Sequence, residues 1–188
     1  QFKLKFNNSI NKLSGWHSYK IKAIGLHNIY NATAAIIAGL LLGVKNNYIK
    51  LALINYIGVK RRFTHIGKVN LSNIYDDYAH HPTEILATLK GAKQVNKKII
   101  IVFQPHRYSR TKILFNEFIN VLSKINKLYL LETYSAGEKK IKGFETKDIY
   151  NKLQKLKKNV VYIRKNNLNN IVYKETYQQN IIIFMGAG

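Results

Sequence analysis

The stretch Ile99-Ile-Ile-Val-Phe103-Gln-Pro-His-Arg-Tyr-Ser-Arg-Thr111 passes from a β-branched apolar run, through a loop, into a helix start. The run Ile99 to Val102 reads as a buried strand; Leu114, Phe115, Phe118, Val121 and Leu122 then recur at helical spacing. A loop between the carboxyl end of such a strand and a helix is where open α/β sheets bind ligands. This one holds His106, Arg107 and Arg110 within five residues. Two planar guanidinium forks beside a helix start suit a carboxylate or a phosphate, through bidentate charge-assisted bonds. A solvated basic loop is the bland alternative.

Composition weighs against that alternative. Of 31 Lys plus Arg, only five are arginine: Arg61, Arg62, Arg107, Arg110 and Arg164. Lysine, asparagine and isoleucine crowd the rest, as if drift had replaced whatever was replaceable. Arginine persists mainly in two short clusters, where a planar fork is not interchangeable with an ammonium. Both prolines, Pro82 and Pro105, and four of six histidines (His27, His80, His81, His106) lie in or beside the same segments.

Working outward, strands are predicted at about 18–23, 64–69, 72–75, 98–103, 127–131, 160–163 and 180–185. Helices are predicted at about 28–42 (apolar nearly all round, hence buried) and 47–56, then from Pro82, over 111–123, from Thr146 as cap, and over 168–177. Beyond the polar, hinge-like Val59-Lys60-Arg61-Arg62-Phe63, strands and helices alternate. That pattern implies a mostly parallel, Rossmann-like α/β sheet flanked by helices, with right-handed crossovers. The hinge divides the chain into residues 1–63 and 64–188.

Two further constellations stand at element junctions. Asp76-Asp77-Tyr78-Ala79-His80-His81-Pro82-Thr83-Glu84 follows a strand and opens a helix, and holds two of the chain's three aspartates. A carboxylate there can accept the hydroxyls of a ribose, and an adjacent imidazole can bind or move protons; an N-cap and turn is the structural alternative. Adjacent histidines in a turn rarely ligate one ion together, so no metal site is expected. In Gly25-Leu26-His27-Asn28-Ile29-Tyr30-Asn31, the amides of Asn28 and Asn31 can read the edge of an adenine or serve as helix caps. Gly186-Ala187-Gly188 after the last strand can lay backbone amides against an anion.

The bulk numbers bound the classes. With 46% hydrophobic residues, 13 Tyr and 8 Phe, a packed core is expected. The longest apolar stretch, Ala32 to Val44, is too short to span a bilayer, and no signal peptide is found, so a soluble, cytoplasmic protein is expected. The formal charge of +22 would normally suggest nucleic acid, but the lysines are spread along the chain without a binding motif. No specific nucleic-acid or membrane partner is expected.

The ordered set His27-Asn28-x-x-Asn31-Ala32, Gly58-Val59-Lys60-Arg61-Arg62-Phe63, Asp76 to Glu84, Phe103 to Thr111 and Tyr134-Ser-Ala-Gly-Glu138 resembles the Mur ligases over essentially the whole chain. Within that family, Gln104 to Arg110 favours the branch that adds L-alanine to UDP-N-acetylmuramate. The branch of cell-wall recycling that ligates murein peptide is the alternative, with a non-catalytic remnant or a basic binding module behind it. The resemblance implies an ATP- and Mg²⁺-dependent ligase of peptidoglycan precursor synthesis, working through an acyl phosphate. Residues 1–63 would be the end of the central ATPase domain and 64–188 the C-terminal domain. The glycine-rich Gly-Lys-Thr loop and the Mg²⁺ ligands of the central domain are not in the sequence, so the chain alone should be inactive. Carried over by motif, His27, Asn28 and Asn31 would hold adenine, and Arg62 and Asp77 would contact phosphate and ribose. His81, His106, Arg107 and Arg110 would hold the muramoyl or alanine carboxylate and steady the tetrahedral intermediate.

Overall fold

In the computed structural model, which describes residues 1–22, 25–93, 98–156 and 159–188, the chain divides into two compact units, Gln1–Val59 and Lys60–Gly188. The first unit opens on a hairpin of β1 (Phe2–Ile10) and β2 (Leu13–Tyr19). Asn11 and Lys12 make its two-residue turn with φ of 48° and 61°, the left-handed pair whose twist matches antiparallel strands. The strand predicted at 18–23 is therefore earlier: pairing of Tyr19 with Phe2 ends it, and Ala23 lies outside the described residues.

Two helices follow, α1 (Leu26–Leu41) and α2 (Asn46–Asn55). Ile36 and Leu40 of α1 meet Phe6, Tyr19 and Ile49 in a small core, and the Tyr19 hydroxyl donates to Asn46 Oδ1 at 3.0 Å. Full burial of α1 was the expectation from its apolar circumference. Instead Tyr30, Ile37 and Leu41 are exposed, because within this unit only one side of the helix has a layer to pack against.

The second unit holds a six-stranded sheet. Its elements are β3 (Thr64–Val69), β4 (Ser72–Asp77), α3 (Pro82–Lys93), β5 (Lys98–Phe103), α4 (Tyr108–Ile113), α5 (Phe115–Leu122), β6 (Lys127–Leu130), α6 (Thr146–Gln154), β7 (Val160–Tyr162), α7 (Leu168–Glu175) and β8 (Asn180–Met185). The order is β3-β4-β8-β5-β6-β7, with β3 antiparallel to β4 and every other pair parallel. Both faces of the central strands are covered, which is why β5 and β8 read as unbroken apolar runs. Ile99, Ile101, Phe103, Ile181 and Ile183 point into a core with Ile85, Leu89, Phe118, Leu122, Ile149 and Leu153. Ile100, Val102 and Ile182 face Val172 of α7 on the other side.

Two local expectations change. The helix predicted over 111–123 starts at Tyr108 and breaks at Leu114, whose φ of −109° and ψ of 24° separate α4 from α5. Thr146 is not the cap of α6: Glu145 is the N-cap and donates its N–H to Asp148 Oδ2 at 2.9 Å. Thr146 is buried, its hydroxyl bonded to that of Thr133 at 2.8 Å, because a threonine facing the sheet needs a polar partner. Parallel β4, β8, β5 and β6 end at one edge, where their following loops gather.

Candidate functional site

At that edge the β4 end is fixed from inside. Asp77 is only 4% exposed; Oδ1 accepts the Ala79 N–H at 2.9 Å and Oδ2 the Thr88 hydroxyl at 2.6 Å. Burial pushes its carboxyl up, against the pull of Thr88, Ala79 and Arg62. Both oxygens of Asp77 are thus engaged in shaping the turn. Its neighbour Asp76 points the other way and accepts from Arg61 Nε at 3.1 Å. Arg61 also donates to the carbonyls of Gly186, at 2.8 Å, and Gly188, at 3.4 Å, and lies 5.0 Å from the Tyr78 ring. It does so from a left-handed backbone, φ 58°, with its own carbonyl accepting the Tyr78 N–H at 2.7 Å. Arg61 therefore ties β4 to the end of β8, and the Gly186 and Gly188 carbonyls face it. The Gly186 N–H is taken by Asp77 O at 3.2 Å.

The start of α3 carries the histidines. Pro82 occupies its first position, as the sequence predicts, and Glu84 reaches back so that Oε2 accepts the N–H of His80 at 3.0 Å and of His81 at 3.2 Å. Burial pushes the Glu84 carboxyl up, but those two N–H groups, the His80 ring and Arg62 outweigh it and hold it below the usual carboxylate range. Arg62 is half exposed, 4.0 Å from Glu84. His80 Nδ1 lies 2.9 Å from the Tyr78 carbonyl, which can only accept, so Nδ1 carries a proton and donates to it. His81 Nδ1 accepts the Thr83 N–H at 3.3 Å, which leaves Nε2 as the protonated nitrogen.

The loop after β5 completes the cluster. Pro105 O accepts from Tyr134 N at 2.9 Å and Tyr134 O from Arg107 N at 2.8 Å, laying the loop alongside the segment that follows β6. The His106 ring stacks on Tyr134, centroids 5.4 Å apart, and stands 6.1 Å from His80. Its Nδ1 receives Arg110 Nη1 at 3.3 Å; a guanidinium only donates, so His106 is held neutral with the proton on Nε2. Burial first, then Arg110, His80 and Arg107, keeps the imidazole below its ordinary pKa. Arg107 is the N-cap of α4 with φ 71° and ψ 134°, a conformation that costs a non-glycine residue on the order of 1–3 kcal/mol. Glu138 accepts both the Ser109 N–H at 2.9 Å and its hydroxyl at 2.7 Å, and lies 3.8 Å from Arg107 Nη1.

Of the residues expected from sequence, His81, His106, Arg107, Arg110, Arg62 and Asp77 thus lie in the second unit at the ends of β4 and β5. Three of the others belong to the first unit. Asn28 and Asn31 sit one turn apart on α1, and His27 is in its first turn with a side chain outside the described residues. Sequence reasoning missed Arg61, His80, Tyr134, Ser109 and Glu138 as members. The signal for Arg61 was its rarity, and for Tyr134 and Glu138 their place after the next strand. Among the described residues no three His, Asp or Glu side chains converge as metal ligands.

A doubly covered, mostly parallel α/β sheet with basic and imidazole groups at its strand ends defines a Rossmann-like domain. The chain belongs to the Mur ligase family: the model of the Mur ligase glutamate ligase domain matches residues 61–188. It is 39% identical over 171 residues to the UDP-N-acetylmuramate–L-alanine ligase of Caldicellulosiruptor saccharolyticus, covering 90% of this chain and 38% of that protein. Its identity to the same-named protein of Lachnospira eligens is 43% over 166 residues, 87% of this chain and 36% of that protein. A crystal structure of UDP-N-acetylmuramate–alanine ligase from Thermotoga maritima superposes with a TM-score of 0.76 at 29% identity, over 94% of this chain and 38% of the other. A murein peptide ligase from Psychrobacter arcticus shares the fold, with a TM-score of 0.66 at 24% identity over 100% of this chain and 38% of that one. The chain spans a little over a third of the length of these relatives.

Proposed function

We propose that this chain supplies the carboxy-terminal part of an ATP-dependent amide-bond ligase that joins L-alanine to UDP-N-acetylmuramate in the cytoplasm. The observation that carries the reading is the loop at the end of β5. It gathers two arginines and an imidazole within five residues, and backbone bonds of Pro105 and Arg107 to Tyr134 fix the loop. In this reading residues 1–63 end a nucleotide-binding domain and 64–188 form the acceptor-binding domain.

The chemistry is phosphoryl transfer followed by acyl transfer. ATP phosphorylates the muramoyl carboxylate, the amine of alanine attacks the acyl phosphate, and the tetrahedral intermediate collapses to amide and phosphate. Little of this needs covalent help from the protein; positioning and charge stabilisation dominate. Arg107 and Arg110 hold a carboxylate, and the Nε2–H groups of His106 and His81 donate to oxygens that gain charge. In this reading the proton that the attacking amine sheds leaves with the phosphate. Asn28, Asn31 and His27 would face adenine. Arg62 would reach phosphate, and Asp77 would shape the turn beside the ribose. Mg²⁺ would neutralise phosphate charge from ligands outside this chain.

Two preparations test the reading. The 188-residue chain alone should form no alanine amide from ATP, UDP-N-acetylmuramate and L-alanine. Substituted for the matching carboxy-terminal portion of the Caldicellulosiruptor relative, it should support the reaction. Activity of the chain alone, or a folded chimera that binds ATP yet never consumes alanine, would contradict it.

A further inference from the structure

The carboxylate of Glu138 stands where an anion-binding loop would be expected to avoid one. It lies 3.8 Å from Arg107, in a chain with only nine acidic residues against 31 basic ones. By charge alone it weakens the hold of Arg107 on any anionic ligand. The local backbone is nonetheless bent to place it there. Ala136 and Gly137 take φ of 51° and 86°, and the Glu138 N–H closes the turn on Ser135 O at 3.1 Å. Its two oxygens then hold the N–H and hydroxyl of Ser109, in the first turn of the helix that Arg107 caps. Arg107 itself carries the strained φ of 71°, and that conformation persists only if its surroundings over-determine it. Tyr134 O fixes its N–H at 2.8 Å, Thr111 Oγ1 donates to its carbonyl at 3.0 Å, and Glu138 faces its guanidinium. Half of the Arg107 side chain stays exposed, which leaves one edge of the fork for a ligand.

We propose that Glu138 is a positioning residue: it orients the Arg107 guanidinium so that the free edge of the fork, together with Arg110, receives the carboxylate of the amino-acid substrate. This rests on the carboxylate reading of the loop. The alternatives differ in sign. If Glu138 merely lowers the local positive charge, removing its charge tightens the amino acid. If it only caps α4, the change costs stability and leaves the amino acid alone.

Glu138→Gln keeps an oxygen for Ser109 and removes the attraction to Arg107. In the chimeric ligase, KM for L-alanine should rise about two- to fivefold, the scale of a partly exposed ion pair, with kcat little changed. An unchanged or lowered KM overturns the proposal. A second reading comes from the chain itself, through the side-chain Nε–Hε resonances of its arginines. The Arg107 Nε–Hε should be rigid in the parent and gain fast motion in Glu138→Gln, while that of Arg164 is the same in both. A mobile Arg107 in the parent, or one indifferent to the substitution, overturns the proposal even if the chimera is inactive. Arg107→Lys and Arg110→Lys separate the two layers. If neither raises KM for L-alanine, the carboxylate reading fails; if both do and Glu138→Gln does not, only the role of Glu138 fails.

Discussion

His106 shows how much of this site is set by single donors and acceptors. Because Arg110 can only donate, the imidazole nitrogen facing it must be bare, and the outward nitrogen must carry the proton. Burial and the neighbouring cations push its pKa below 6.5, so the folded chain resists protonating it. The group therefore adds stability that is complete above the unfolded value of 6.5 and is lost as pH falls from there through the folded pKa. Imidazole C2–H titration by NMR should give His106 a midpoint below 6.5, with the Nε2–H tautomer above it; a midpoint at or above that value contradicts the Arg110 contact. Gly186 makes a second residue-scale case. Its φ is 153° and an added Cβ would lie 3.0 Å from the Gln104 carbonyl oxygen, backbone that cannot swing aside. Gly186→Ala should cost about 1–3 kcal/mol in urea unfolding of the second unit, through strain and overpacking. A wild-type midpoint would mean that the β8 end is looser than it looks.

At the scale of elements, legibility in the sequence followed how local the determinants are. Strands β3, β5 and β8 were readable to the residue; for β5 and β8 the reason is an apolar run rich in isoleucine that needs no information from elsewhere. The β1 strand was equally written in the alternation Phe2-Lys3-Leu4-Lys5-Phe6, though its asparagine-rich continuation hides it. The early start of α4 was not readable. It depends on Tyr134 and Glu138, which lie 27 and 29 positions beyond Arg107 and Ser109 and replace the capping that local sequence lacks. The same distance in sequence hid Glu138 and Tyr134 as partners of the loop, while the arginines were exposed by their rarity alone. Asp77 illustrates the reverse: its residue type and place suggested a ligand, and only the structure shows both oxygens occupied by Ala79 and Thr88. The helix after the loop is anchored by Phe118, which is fully buried against Phe103. Phe118→Ala should cost about 3–5 kcal/mol and lower the urea midpoint accordingly. A loss under about 1 kcal/mol would mean that α5 carries little of this core.

The whole molecule is unequal in its two parts. The second unit buries two full sheet faces, whereas the first buries a handful of side chains and leaves Trp16, Tyr30, Leu41, Leu51 and Ile54 exposed. A unit with so small a core is marginal by itself. Amide hydrogen exchange of the chain should therefore protect Ile101 and Ile183 far more strongly than Ile36 and Leu40. Equal protection would indicate that something beyond its own core stabilises the first unit. Supplying the remainder of a Mur ligase should raise the protection of Ile36 and Leu40, since the exposed apolar side of α1 would then have a partner.

The claim on which the account turns is that Arg107 and Arg110 grip a carboxylate as planar forks. Lysine at either position keeps the charge but loses one hydrogen bond and the fixed geometry, which should cost about 1.5–3 kcal/mol. The most direct measurement is kcat/KM for L-alanine in the chimeric ligase carrying Arg107→Lys, Arg110→Lys or, as reference, Arg164→Lys, which lies outside the loop. The expected result is a loss of roughly ten- to a hundredfold for each of the first two and a near-parental rate for the third. Equal, near-parental rates for all three would make the loop a solvated surface and contradict the account.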